Sequence, residues 1–270
     1  MRCEKTARLL FGLLVIIALL AMNGRLLAQA PIRSGFNQQI LDRNDDLSTG
    51  VVPIGFSMNF FGNSYTALYV NNNGNVTFDF PQSEYSPKTL PGLGTEIIAP
   101  FWADVDTRNP ASDVVTYGTN TVNGYNAFGV NWVNVGYYSQ HADNLLSCQL
   151  IIVNRSDIAP GDFDLEFNYS KVQWQWGDVT VDVPPRAGFA GSGGGYELPG
   201  SGVNGTFMDT NTATGLIYNS LNSAEPGRYV FFFRDGVPVP EPSATAVVGV
   251  GLALLALAAA KRLRAGQDLR

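Results

Sequence analysis

Asp104 and Asp106 are the residues whose type and spacing most directly offer chemistry. They lie two apart on a predicted strand, where alternation puts both carboxylates on one face, with Trp102 in line and Val105 opposite. Two carboxylates held this way repel unless a cation or an arginine comes between them. The pair therefore reads as a calcium-binding edge completed by loop oxygens, as a partner for Arg108, or as a loop hydrogen-bonding pair. Asp162, Asp164 and Glu166 alternate with Phe163, Leu165 and Phe167, the pattern of a strand with one solvated face. Asp42 to Ser48 also presents oxygens at alternate positions. Leu47 stands where a calcium loop needs its sixth-position Gly, and Pro53 where it needs its final Glu, so the stretch reads as an acidic turn ahead of the first strand.

Other chemistries are poorly supplied. Ser192 and Ser201 miss the G-x-S-x-G frame, with Ala190 and Pro199 in place of the first Gly, and His141 is the sole imidazole. Cys148 falls in phase with Leu146, Leu150 and Ile152, as a buried, inert thiol would. One His and two Cys cannot furnish the four ligands of a structural zinc site. Gly200 to Gly205 spells a dinucleotide-binding pattern, but no strand leads into it and no helix follows. With 17 basic against 23 acidic residues, a net charge of −6 and no basic stripe, nucleic-acid binding is excluded. Trp102, Trp132, Trp174 and Trp176 could stack on sugar rings or pack in a core. Paired carboxylates for glycoside cleavage stay open, because their separation is a three-dimensional quantity, and a secreted carbohydrate-active hydrolase is the alternative to a binding protein.

The elements that must position these residues are strands. Between Gly50 and Gly236 period-two apolar runs recur between Gly, Asn and Pro, and no 3.6-residue stripe is found. Thr66–Val70 and Asn75–Phe80, joined through Asn73-Gly74, read as a hairpin. Val51–Phe61, Ile97–Val105, Val114–Tyr117, Phe128–Tyr137, Leu145–Asn154, Phe163–Tyr169 and Tyr229–Phe233 complete about nine strands, with residues 184–227 as loops and short strands. The predicted architecture is all-β, a single antiparallel sandwich-like domain.

Both ends read as addresses. Arg2, Lys5 and Arg8 precede an uncharged apolar run of about 14 residues, so residues 1–28 are predicted to be a secretory signal peptide. The chain is therefore expected to be exported, and 29–50 form an acidic lead-in. Without the ends, residues 29–239 hold nine basic and 20 acidic residues, a charge of −11 that favours cations and basic partners. They also hold Cys148 alone, so no intrachain disulfide is expected. At the far end, a Pro-rich linker over 236–243 leads into an apolar run of about 17 residues, 244–260, predicted to be a transmembrane helix. Lys261, Arg262 and Arg264 in the tail 261–270 place that end in the cytoplasm and the body outside. Pro240-Glu241-Pro242, one hydrophobic helix and a basic terminus resemble the PEP-CTERM sorting signal of Gram-negative bacteria. That resemblance implies processing by an exosortase and delivery to the cell envelope, surface or exopolysaccharide matrix.

A second resemblance lies in the body. Asn59-Phe60-Phe61-Gly62, Leu68 through Gly74, Ile98-Ala99-Pro100-Phe101-Trp102-Ala103-Asp104-Val105-Asp106-Thr107-Arg108, Val130 through Tyr138, Gln149 through Ile152, Phe167-Asn168-Tyr169 and Arg186 through Phe189 are similar, in this order, to the nidogen-like (NIDO) extracellular domain. The similarity spans 51–235. It implies a non-enzymatic module of cell–matrix adhesion, here a biofilm or matrix component in contact with extracellular polysaccharide or surface proteins. The disulfide-rich modules that flank the domain in animals have no counterpart here, so their partners are not carried over.

Overall fold

The computed structural model describes residues 31–176 and 183–239. The predicted signal peptide, the Pro240–Pro242 motif, the 244–260 helix and the basic cluster lie outside the described residues. Among those described, no helix is long and apolar enough to cross a membrane.

The chain forms two antiparallel sheets, as the alternating apolar pattern predicts. The strands are β1 (Gln39–Leu41), β2 (Val52–Phe60), β3 (Asn63–Asn71), β4 (Asn75–Thr77), β5 (Ile97–Trp102), β6 (Val105–Asp106) and β7 (Val115–Val122). They continue with β8 (Tyr125–Tyr137), β9 (His141–Asn154), β10 (Phe163–Val172), β11 (Arg186–Gly191), β12 (Gly194–Glu197), β13 (Arg228–Arg234) and β14 (Val237–Val239). The large sheet runs β1-β7-β8-β9-β10-β13-β14 with β6 beside β8, and the small one β12-β11-β5-β4-β3-β2.

Their inner faces share one core. Phe60 on β2 lies 5.5 Å from Phe233 on β13, and Phe189 on β11 lies 5.2 Å from Phe231 and 5.0 Å from Phe233, so aromatic rings fill the space between sheets. The Tyr169 hydroxyl donates to the Pro100 carbonyl at 2.6 Å, giving a buried phenol its partner across the gap.

The outer face of the large sheet departs from expectation. Residues 31–38, predicted as part of a lead-in outside the domain, lie across this face as a strap before β1 pairs with β7. The Pro31 carbonyl accepts from Arg228, Arg33 contacts Gln149 and Glu166, the Gly35 and Phe36 carbonyls accept from Asn131, and the Gln38 side chain reaches Thr119. Beneath the strap, polar side chains link four neighbouring strands. Arg228 donates to Asn168 at 2.8 Å, Asn168 to Gln149 at 3.1 Å, and Gln149 to Asn131 at 2.7 Å. Each buried amide thus finds a partner. The Asp162–Glu166 edge is likewise not the solvated face its alternation predicts. Asp162 and Glu166 are buried, and Asp164 is held by Arg155 at 2.7 Å and Arg234 at 2.5 Å. Alternation reports which residues oppose the core, and it is blind to a segment laid over the other side.

Three further differences bear on the site. The strand predicted over Ile97–Val105 ends at Trp102, and Val105–Asp106 joins the other sheet. Gln39–Leu41 forms a strand before the acidic turn. Val237–Val239, expected to be linker, pairs with β13.

Candidate functional site

Two chain segments cross from one sheet to the other at the same place. The connection from β1 to β2 carries Asp45 and Asp46, and the two-residue connection from β5 to β6 carries Asp104. The turn between β3 and β4, Asn72-Asn73-Gly74, sits against both. Gly74 makes this possible: its φ is +73°, and a Cβ there would stand 1.8 Å from the Phe101 carbonyl oxygen. Asn73 donates to Asp46 at 2.8 Å and accepts from the Val105 N–H at 3.0 Å. The Asn72 amide donates to the carbonyls of Asp45 and Val105. Thr107 closes the arrangement by exchanging hydrogen bonds with the Asn44 backbone.

The turn and crossings bring three carboxylates together. One oxygen each from Asp45, Asp46 and Asp104 lies within 4.8 Å of the others. Asp104 is only 2% exposed, and its Oδ2 has no hydrogen-bond partner. Asp45 Oδ1 and Asn72 Oδ1 are also buried without partners. Burial, then repulsion from Asp45, Asp46 and Asp106, pushes the Asp104 carboxyl up to about 7, with Arg108 opposing. Burial and Asp106 push Asp45 up to about 6.

Asp106 has a different environment. Burial acts against its charge, but Arg108 donates from its side chain and backbone, and Gln140 from its N–H, so Asp106 is held below the ordinary carboxylate range. Arg108 also reaches Asp45 at 2.8 Å. Asp104 and Asp106 therefore do not share one strand face: Asp106 pairs with the arginine, and Asp104 faces Asp45 and Asp46. Asp45 and Asp46 belong to the Asp42–Ser48 stretch that the sequence reads as an acidic turn because it lacks a contiguous calcium loop's Gly and Glu, and Asn72 carries no calcium-loop signal; the three meet Asp104 only through the fold. The usable signal was the Asn71–Asn73 run in a tight turn, since amides concentrated there have backbone and side-chain partners to meet.

Other candidates resolve into structural roles. Trp102, Trp132 and Trp174 are buried, which removes them as sugar-stacking platforms. Their indole N–H groups donate to the carbonyls of Glu84, Asn72 and Val135. Cys148 is fully buried, and burial raises its thiol far above the ordinary range. Ser201 Oγ exchanges hydrogen bonds with the Ala187 backbone, while His141 packs edge-on against Tyr137, so neither forms half of a nucleophile–base pair with the other. A cavity of about 280 Å³ is lined by Tyr196, Leu198, Leu216, Leu221 and Tyr229 among others and carries no carboxylate. Another, of about 460 Å³, carries a single one, Glu225. Neither has the opposed acid pair that glycoside cleavage requires.

The described residues form a two-sheet antiparallel domain with an Asn-rich turn clamped between its sheet crossings. The chain belongs to the NIDO-related family, whose model matches residues 30–180. It is 28% identical to alpha-tectorin of Mus musculus over 216 residues, covering 69% of this chain and 10% of that protein. It is 27% identical to nidogen of Drosophila melanogaster over 201 residues, covering 63% of this chain and 14% of that protein. Nidogen-2 of Mus musculus is 30% identical over 130 residues, covering 47% and 9%. The chain thus spans roughly a tenth of the length of these relatives. No solved structure matches it.

Proposed function

We propose that this is a non-enzymatic, exported bacterial surface or extracellular-matrix protein that acts by adhesion. Membership of the NIDO-related family carries the reading. The fate of several chemistry-bearing residues supports it, since Ser201, His141, Cys148 and three tryptophans are engaged in packing or backbone hydrogen bonds. The acidic body, with 20 acidic against nine basic residues over 29–239, suits weak contact repeated over many displayed copies. Its partners are extracellular polysaccharide or neighbouring surface proteins.

Delivery uses the leader at 1–28 and a PEP-CTERM tail. Pro240-Glu241-Pro242 is the segment an exosortase reads, the 244–260 run holds the chain in the inner membrane until processing, and Lys261, Arg262 and Arg264 stop transfer. Intact mass of the protein recovered from envelope and matrix fractions tests this. A matrix-associated form lacking 244–270 is expected, and an unprocessed form confined to the inner membrane would overturn the sorting claim. For adhesion, beads coated densely with the 29–239 region should retain matrix polysaccharide that the same protein in dilute solution does not. Turnover of that polysaccharide by the pure protein would refute the non-catalytic assignment.

A further inference from the structure

We propose that Asp45, Asp46 and Asp104, with the side-chain carbonyl of Asn72, hold a calcium ion that ties the two sheet crossings to the β3–β4 turn. The proposal is independent of the adhesive reading.

The carboxylate cluster alone would not carry it, because acidic groups often gather without a ligand. The burial and lack of partners do. Asp104 is 2% exposed, its Oδ2 has no donor, and that carboxylate is aimed at Asp45 and Asp46. Asn72 is 1% exposed and independently leaves its Oδ1 unpaired, while its amide nitrogen is anchored to the backbones of Asp45 and Val105, the two segments that carry the acids. A buried acceptor left without a donor costs about 1–3 kcal/mol, more when charged. Here three such oxygens, on Asp45, Asp104 and Asn72, occur where three chain segments meet.

Local cations do not satisfy them. Arg108 is spent on Asp106 and on the other oxygen of Asp45. Arg43 directs its guanidinium to the carbonyls of Thr107, Asn109 and Ser112. An added cation is therefore the missing partner. The donors are all oxygens, which selects a hard ion over a soft one. Calcium takes oxygens at about 2.3–2.6 Å, so two on opposite sides of one ion stand roughly 5 Å apart, and a cluster within 4.8 Å fits inside that sphere. Calcium's tolerance of irregular geometry also suits ligands drawn from two connections and a turn.

The test is a thermal melt of purified full-length protein stripped with chelator, with and without CaCl2, alongside calorimetric titration with CaCl2. At about a hundredfold excess over Kd, calcium should raise the midpoint by about 5 °C or more. Asp104→Asn keeps the shape and removes the charge, so it should fold, match or exceed the wild-type midpoint in chelator, and lose the calcium response. Asp46→Asn, at a half-exposed position, should need at least about tenfold more calcium for the same shift, and it decides the matter if Asp104→Asn fails to fold. Asp143→Asn, at an exposed position that is not part of the cluster, should respond as wild type. A wild-type shift under about 1 °C, or an undiminished shift in Asp104→Asn, would overturn the site; an equal midpoint rise with MgCl2 at the same concentration would overturn its assignment to calcium.

Discussion

The indole N–H of Trp132 donates to the carbonyl of Asn72 at 3.0 Å, so a central strand of the large sheet holds the tip of a hairpin that belongs to the small one. Trp132 is fully buried. Trp132→Phe keeps the aromatic packing but removes the donor. Because the Asn72 carbonyl also accepts from Gly74, the expected loss is about 1–2 kcal/mol in denaturant unfolding, ring-volume loss included. No change in midpoint would show that the contact is incidental.

Gly74 has no such tolerance. Its Cβ would meet backbone, not the end of a flexible side chain, and its φ is left-handed. Gly74→Ala should cost about 3 kcal/mol or more, beyond the usual penalty for a left-handed residue. Gly62→Ala is the matched comparison: its φ is +89° with nothing within 4 Å of the added carbon, so it should lose only the conformational part.

Phe36 anchors the strap. It packs with Val122, Ala127, Ile151 and Val153 in a small cluster on the outer face of the large sheet. Phe36→Ala should destabilise by about 3 kcal/mol. It should also speed hydrogen exchange at Arg33, whose N–H donates to Gln149 at 3.0 Å. Equal exchange in both proteins would mean that the strap is held by its polar contacts alone.

Burial raises the Asp209 carboxyl above its usual range, against the opposing pulls of the Val172 N–H and Lys171. The folded chain therefore takes up this proton at higher pH than the unfolded chain. The resulting stabilisation is complete below the unfolded value near 3.8 and is lost as pH rises through the raised folded value. Asp209→Asn cannot titrate yet keeps an acceptor for Val172. Relative to that variant, wild type should gain stability as pH falls from neutral toward 4, and parallel curves would refute the shift.

Cys148 should resist thiol reagents in the native state and react only when the chain unfolds, because its thiol is fully buried with its ionisation suppressed. Peptide mass mapping after labelling with and without denaturant reads this directly. Native-state modification would require the core to open locally.

Legibility in the sequence followed what each pattern physically encodes. Alternation marked the long strands β8, β9 and β10 and the Cys148 face, because one side of each must oppose a continuous core. Asn73-Gly74 marked the hairpin, because the turn needs a left-handed backbone and Gly74 supplies it. The break after Trp102 was not visible, since Ala103-Asp104-Val105-Asp106 can continue a strand locally and only pairing with β8 diverts it. Nor was the strap, whose short stretch has no period and gains order from groups distant in sequence. For the carboxylates, residue type was readable and association was not: Asp46 and Asp104 are distant along the chain and adjacent only because two crossings share one corner.

The path of residues 31–38 has a mechanical consequence. Their contacts fall in turn on β13, β10, β9, β8 and β7, so tension applied ahead of Pro31 loads them one after another instead of sharing the force. The strap should unzip at low force and bare a row of amides, while the sheets beneath, bonded along long strands, stay shut.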